Sequence, residues 1–196
     1  LEVLPGIRKG YFITSPPTET LTDQAYTRLS METHLRYALE RNELFLVYQP
    51  QFSIENQQLI GVEVLLRWQH PELGVVSPDN FIPVAEDTGL IVPIGLWVIE
   101  TACRQLMEWQ QKGLNINKLA INLSAGQFGR PGLVHQVDDI LKQTGIAPKQ
   151  IDFEITESVL MLDTNITIDT LRKFSDMGME LSIDDFGTGY SSLSYI

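Results

Sequence analysis

The sequence predicts an α/β fold built on a parallel sheet. Three observations carry that prediction. From about residue 114 onward, short β-type runs alternate with helical segments of ten or more residues, which is the spacing of βαβ units. The helical segments end at glycines (Gly113, Gly145, Gly178), the residue that most readily takes the left-handed conformation closing a helix. The 196 residues are 43% hydrophobic and 20% charged, ordinary for one globular domain long enough to bury a sizeable core.

Each element follows in order. Residues 1–20 mix apolar residues with Pro, Gly, Ser and Thr and read as a linker or the end of an upstream domain, with one domain over 21–196. A helix opens at Thr22–Asp23, with Ala25, Leu29, Leu35, Ala38 and Leu39 as its apolar stripe and Glu32 and Arg36 as an i,i+4 pair. "LFLVYQPQF" and "LIGVEVLLRWQH" read as strands joined by a turn at "ENQQ". Ser77 before Pro78 starts a short helix that is expected to be reset at Pro83. A longer helix covers 92–112. "KLAINLS", "IDFEIT" and "ELSID" are strands, separated by helices over 132–144 and 164–177. The first of these two helices has Leu133, Val137, Ile140, Leu141 and Thr144 on one face.

Composition excludes several classes. A net charge of -11 argues against binding a nucleic acid polymer, which requires Lys and Arg to displace counterions. The single cysteine, Cys103, forbids an internal disulfide and reads as a buried thiol beside Ile99, Ala102 and Leu106. "GLIVPIGLWVI" is too short to span a bilayer. The absence of a basic-then-apolar signal leaves a cytoplasmic location as the expectation, with any tether to the inner membrane lying upstream.

The strands hold polar residues where a covered parallel sheet should be apolar throughout. Side chains alternate along a strand, so the faces separate cleanly. Ile151, Phe153 and Ile155 oppose Asp152, Glu154 and Thr156; Leu119, Ile121 and Leu123 oppose Ala120, Asn122 and Ser124. Leu181 and Ile183 oppose Glu180, Ser182 and Asp184; Val62, Val64, Leu66 and Trp68 oppose Glu63, Leu65 and Arg67. Burying one such group unpaired is costly, and four strands repeating the arrangement point to a purpose. If the sheet closes into a barrel, Glu63, Asn122, Glu154 and Asp184 converge near the strand ends where barrel active sites are built. Oxygen donors without Cys or a spaced His pair select hard cations, Mg²⁺ or Mn²⁺ rather than Zn²⁺. His34, His70 and His135 lie in unrelated settings and are not expected to be ligands. In "SIDDFGTGYSS", Asp184 should end a strand and Asp185 begin the turn; two carboxylates so close repel unless cations sit between them.

"YQPQ", "EVLLRW", "INLSAGQF", "FEITES" and "IDDFGTGYSSLSYI", in this order, resemble the EAL domain, the cyclic di-GMP phosphodiesterase family of bacteria, over roughly residues 25–196. The resemblance implies a modified TIM-type (βα)8 barrel and hydrolysis of cyclic di-GMP to linear pGpG by metal-activated water at a two-metal site. It puts the metal ligands on Glu63, Asn122, Glu154, Asp184 and Asp185. Gln49, Leu66 and Arg67 become nucleotide-binding residues, with Arg67 able to fork onto a phosphate. Glu157 becomes the residue that holds the glycine-rich loop. A homodimer and an upstream GGDEF or sensory domain are also implied.

Two departures from the family pattern matter. The signature triplet is Glu63-Val64-Leu65, with Val in place of Ala. Val64 should face the helices, so the change alters packing rather than a ligand. The family's later strands, bearing a catalytic Lys and Glu, are not in this sequence; a full barrel takes about 250 residues, which puts roughly 60–80 outside it. The main expectation is a phosphodiesterase in full-length form. The alternative is a catalytically inactive EAL domain acting as a cyclic di-GMP receptor.

Overall fold

The computed structural model describes residues 21–156, 159 and 165–184, with side chains placed from residue 28. Its sheet has the order β1-β2-β4-β5-β6, where β1 is Leu44–Phe52, β2 Leu59–His70, β4 Leu119–Leu123, β5 Ile151–Thr156 and β6 Glu180–Asp184. A short β3, Gly74–Val76, pairs with the far end of β2. β2, β4, β5 and β6 run parallel, and β1 is antiparallel to β2. The reason is the connection: Ser53–Gln58 is hairpin length, and only a crossover can return a chain parallel. Asn56 tightens that turn by accepting the Gln58 N–H at 3.1 Å.

The helices are α1 (Leu21–Ala38), α2 (Pro78–Thr88), α3 (Ile91–Gln111), a one-turn α4 (Ala125–Phe128), α5 (Leu133–Thr144) and α6 (Asn165–Asp176). They cover one face of the sheet. Val62, Val64 and Trp68, Leu119 and Ile121, and Ile151, Phe153 and Ile155 are buried against Ile94, Ile99 and Leu106 of α3, Val137 and Leu141 of α5, and Phe174 of α6. Each such burial contributes about 1.5–3 kcal/mol. Phe153 meets Phe174 at 5.0 Å between ring centroids. Cys103 is buried, and desolvation pushes its thiol up to about 12, as expected of a structural cysteine.

Three expectations are corrected. The helix from Pro78 is not reset at Pro83 but runs to Thr88. The ring removes one bond, yet Phe81, Val84 and Ala85 anchor the helix in the core on both sides of it. The turn comes instead at Gly89, whose φ of 76° closes α2 and lets α3 leave at 119°. In α1 the stripe fails at Leu29, which is 63% exposed while Leu35 and Ala38 are buried. Leu29 stands nine residues before Ala38, half a turn out of phase with a helix of 3.6 residues per turn. On β6, Ile183 is not packed under a helix but exposed, whereas Ile155, its register partner on β5, is buried.

Candidate functional site

The face of the sheet opposite the helices carries the polar residues. Glu63 stands in register with Gln49 of β1 and Ala120 of β4, Asn122 with Glu154, and Thr156 with Asp184. Asn122 donates its side-chain N–H to a Glu63 oxygen at 3.1 Å, which leaves its carbonyl oxygen as the atom for a cation. Glu154 is half-buried, and its pKa is raised to about 7 from an ordinary 4.5. Burial is the main cause, followed by the charges of Glu63, Asp184 and Asp152, while the neighbouring Gln51 amide pulls the other way.

Four of the predicted ligands, Glu63, Asn122, Glu154 and Asp184, thus come together on one face. Asp185 and Glu157 lie outside the described residues. Arg67 is on the same face, its guanidinium donating to the Leu66 carbonyl at 2.8 Å; Gln49 is exposed beside Glu63. Leu66 points the other way and packs on the core. Val64 is buried on the helix side, so the Val of the triplet does not touch the ligands.

Beneath this set the interior stays polar. Ser182 donates its hydroxyl to both Asp152 oxygens, at 2.9 and 3.0 Å, and Lys118 pairs with Glu180. Asp152 and Ser182 were placed on this polar face by alternation but not picked as site residues. The donor set fits a hard divalent cation, since all its donors are oxygens and three of them are carboxylates.

A second acidic group, His135, Asp138 and Asp139, lies close together on α5. It is solvent-facing, and Asp138 is already paired with Lys142 and Asp139 with His135. A groove of about 930 Å³ beside it runs between α5 and α6 past Leu133, Ile166 and Lys173, away from the predicted ligands. Among the described residues, no single helix is long and apolar enough to cross a membrane.

A mostly parallel sheet with helices on one face and an oxygen-only acidic site on the other fits an α/β-barrel type of domain. The chain belongs to the EAL domain family, whose profile matches residues 32–196. It is 46% identical over 177 residues to the bifunctional diguanylate cyclase/cyclic di-GMP phosphodiesterase MucR of Pseudomonas aeruginosa, covering 90% of this chain and 26% of that protein. The chain thus spans about a quarter of this curated relative's length. Its fold is similar to the MucR phosphodiesterase in complex with c-di-GMP, with a TM-score of 0.78, 48% identity, and 85% of this chain and 67% of that one covered. An EAL enzyme bound to cAMP and cyclic di-GMP gives a TM-score of 0.80 at 33% identity over 89% of this chain and 48% of that one.

Proposed function

We propose that the chain forms the metal- and nucleotide-binding part of a cyclic di-GMP phosphodiesterase that releases linear pGpG. The observation that carries the reading is the joining of Glu63, Asn122, Glu154 and Asp184 on one solvent-open face of an EAL domain. Those residues, with Asp185, would hold Mg²⁺ or Mn²⁺ at a two-metal site. Bound there, the ions supply a water nucleophile at neutral pH and charge stabilisation for the leaving oxygen.

The chain's own groups have separable tasks. The Glu63–Asn122 hydrogen bond fixes both side chains before any ligand arrives, so little reorganisation is left for binding. Arg67 sets a fixed cation where a substrate phosphate can accept two N–H bonds. Gln49, exposed beside Glu63, offers an amide to the same nucleotide, and Leu66 fixes the Arg67 strand through the core. Glu157 is assigned to the glycine-rich loop. The same reading expects a homodimer, an upstream GGDEF or sensory domain, and a cytoplasmic location.

The test is chromatography of cyclic di-GMP incubated with full-length protein and Mg²⁺. A pGpG peak that disappears with chelator, and in Glu63→Ala by at least 100-fold on the order expected for losing a primary metal ligand, supports the enzyme. Retained turnover in Glu63→Ala would refute the ligand assignment. Nucleotide binding without product would make the protein a receptor.

A further inference from the structure

We propose that Ser182 is a positioning residue of the cation site: its proton is committed to Asp152, and its oxygen is left to accept a hydrogen bond from a water carried by the divalent ion. The inference rests on the reading of Glu154 and Asp184 as ligands and adds a residue to that site.

The register between β5 and β6 sets the arrangement. Asp152 stands opposite Glu180, Glu154 opposite Ser182, and Thr156 opposite Asp184. Alternation puts Asp152, Glu154, Ser182 and Asp184 on the same face. Ser182 therefore occupies the row of Asn122 and Glu154, two residues before Asp184 on its own strand. Its hydroxyl is half-buried there and donates diagonally to Asp152 rather than straight across to Glu154. The Ser182 oxygen lies 2.9 Å from one Asp152 oxygen and 3.0 Å from the other. Glu180, directly opposite Asp152, pairs instead with Lys118.

The direction of this bond decides what the hydroxyl can still do. A carboxylate only accepts, so the hydrogen in the contact belongs to Ser182. A hydroxyl has one proton and two lone pairs. With the proton held by Asp152, the oxygen can act only as an acceptor towards the ligand row. A hydrated divalent ion brings the matching donors, because Mg²⁺ keeps several of its waters when it binds carboxylates. A bridging water makes a link nearly as good as a direct hydrogen bond. A lysine at this position would also satisfy Asp152, but its charge would repel the ion. Groups that hold a metal site from just outside its ligands typically govern affinity by about 10–100-fold.

The experiment is a Mn²⁺ titration of the full-length protein well below its unfolding temperature, followed by the loss of the free-ion electron paramagnetic resonance signal. Ser182→Ala removes the oxygen and should weaken Mn²⁺ binding by about tenfold. Ser182→Thr keeps the hydroxyl and should bind as the parent does. A bond that only tied β5 to β6 would lower the melting temperature in chelator and leave the affinity of the folded protein unchanged, so affinity separates the two roles. Parent-like Mn²⁺ affinity in Ser182→Ala, or equal losses in both variants, would overturn the role of the hydroxyl and leave the proposed function standing. A parent protein that takes up no Mn²⁺ would overturn the ligand assignment itself, and the role of Ser182 with it.

Discussion

At the scale of single residues, Glu154 is where the competition between charge and burial is sharpest. Its pKa in the folded protein is about 7 against an ordinary 4.5, so folding favours the protonated form. The corresponding contribution to stability is fully present below about 4.5 and is lost as pH rises through about 7. In chelator, the melting temperature of the parent should therefore fall between pH 5 and pH 8 relative to Glu154→Gln, by a few degrees at most for a domain of about this size. Differential scanning fluorimetry of the two proteins side by side checks this, and equal slopes would reject it. With Mn²⁺ present the trend should reverse, because a cation binds only the deprotonated carboxylate. The stabilisation by Mn²⁺ should then grow with pH and be missing in Glu154→Gln.

The elements show how a small residue can be fixed by what lies opposite it. α3 carries Gly95 in its interior, where Ala would ordinarily gain about 1 kcal/mol of helix propensity. A Cβ at Gly95, however, would lie 1.9 Å from Nε2 of Gln127. Gln127 is 2% exposed, and its Oε1 accepts from both the backbone N–H and the hydroxyl of Ser124, closing a capping box at the start of α4. The amide cannot swing aside without stranding the Ser124 N–H. Gly95→Ala should thus destabilise the protein, by roughly 1–3 kcal/mol as overpacking does. Adding Gln127→Ala should recover part of that loss. Urea denaturation of the two single variants and the double variant measures the coupling; strict additivity would mean the two side chains do not compete. The turn so braced begins at Ser124, two residues after Asn122 of the site.

For the molecule as a whole, strand alternation and helix-ending glycines carried most of the architecture. "IDFEIT" reads correctly as β5 because its apolar and acidic residues alternate without a break. Leu133, Val137, Ile140 and Leu141 gave α5 because the face they form is the face that is buried. The sequence misled where a residue's local preference met a tertiary constraint: Pro83 inside α2, and Leu29 outside the core. β3 and α4 are too short for any period to emerge. The grouping of Glu63, Asn122, Glu154 and Asp184 was legible because each breaks the apolar pattern of a covered strand. The Ser182–Asp152 pairing was not, since it depends on the register between β5 and β6.

Strand pairing predicts how stability is distributed. β4 and β5 pair on both sides and lie under α3, α5 and α6, whereas β1 and β6 pair on one side only among the described residues. Phe45, Phe52 and Ile183 on those outer strands are exposed, so local opening there uncovers little additional apolar surface. Opening β4 or β5 would break ladders on both sides and expose Ile121, Phe153 and Ile155 together. Native-state hydrogen exchange should accordingly find the slowest amides in β4 and β5 and faster exchange in β1 towards Phe52, where its register with β2 is irregular. Protection at Phe52 equal to that at Ile121 and Phe153 would mean that the stability of the site is shared evenly along the sheet rather than anchored on the two strands carrying Asn122 and Glu154.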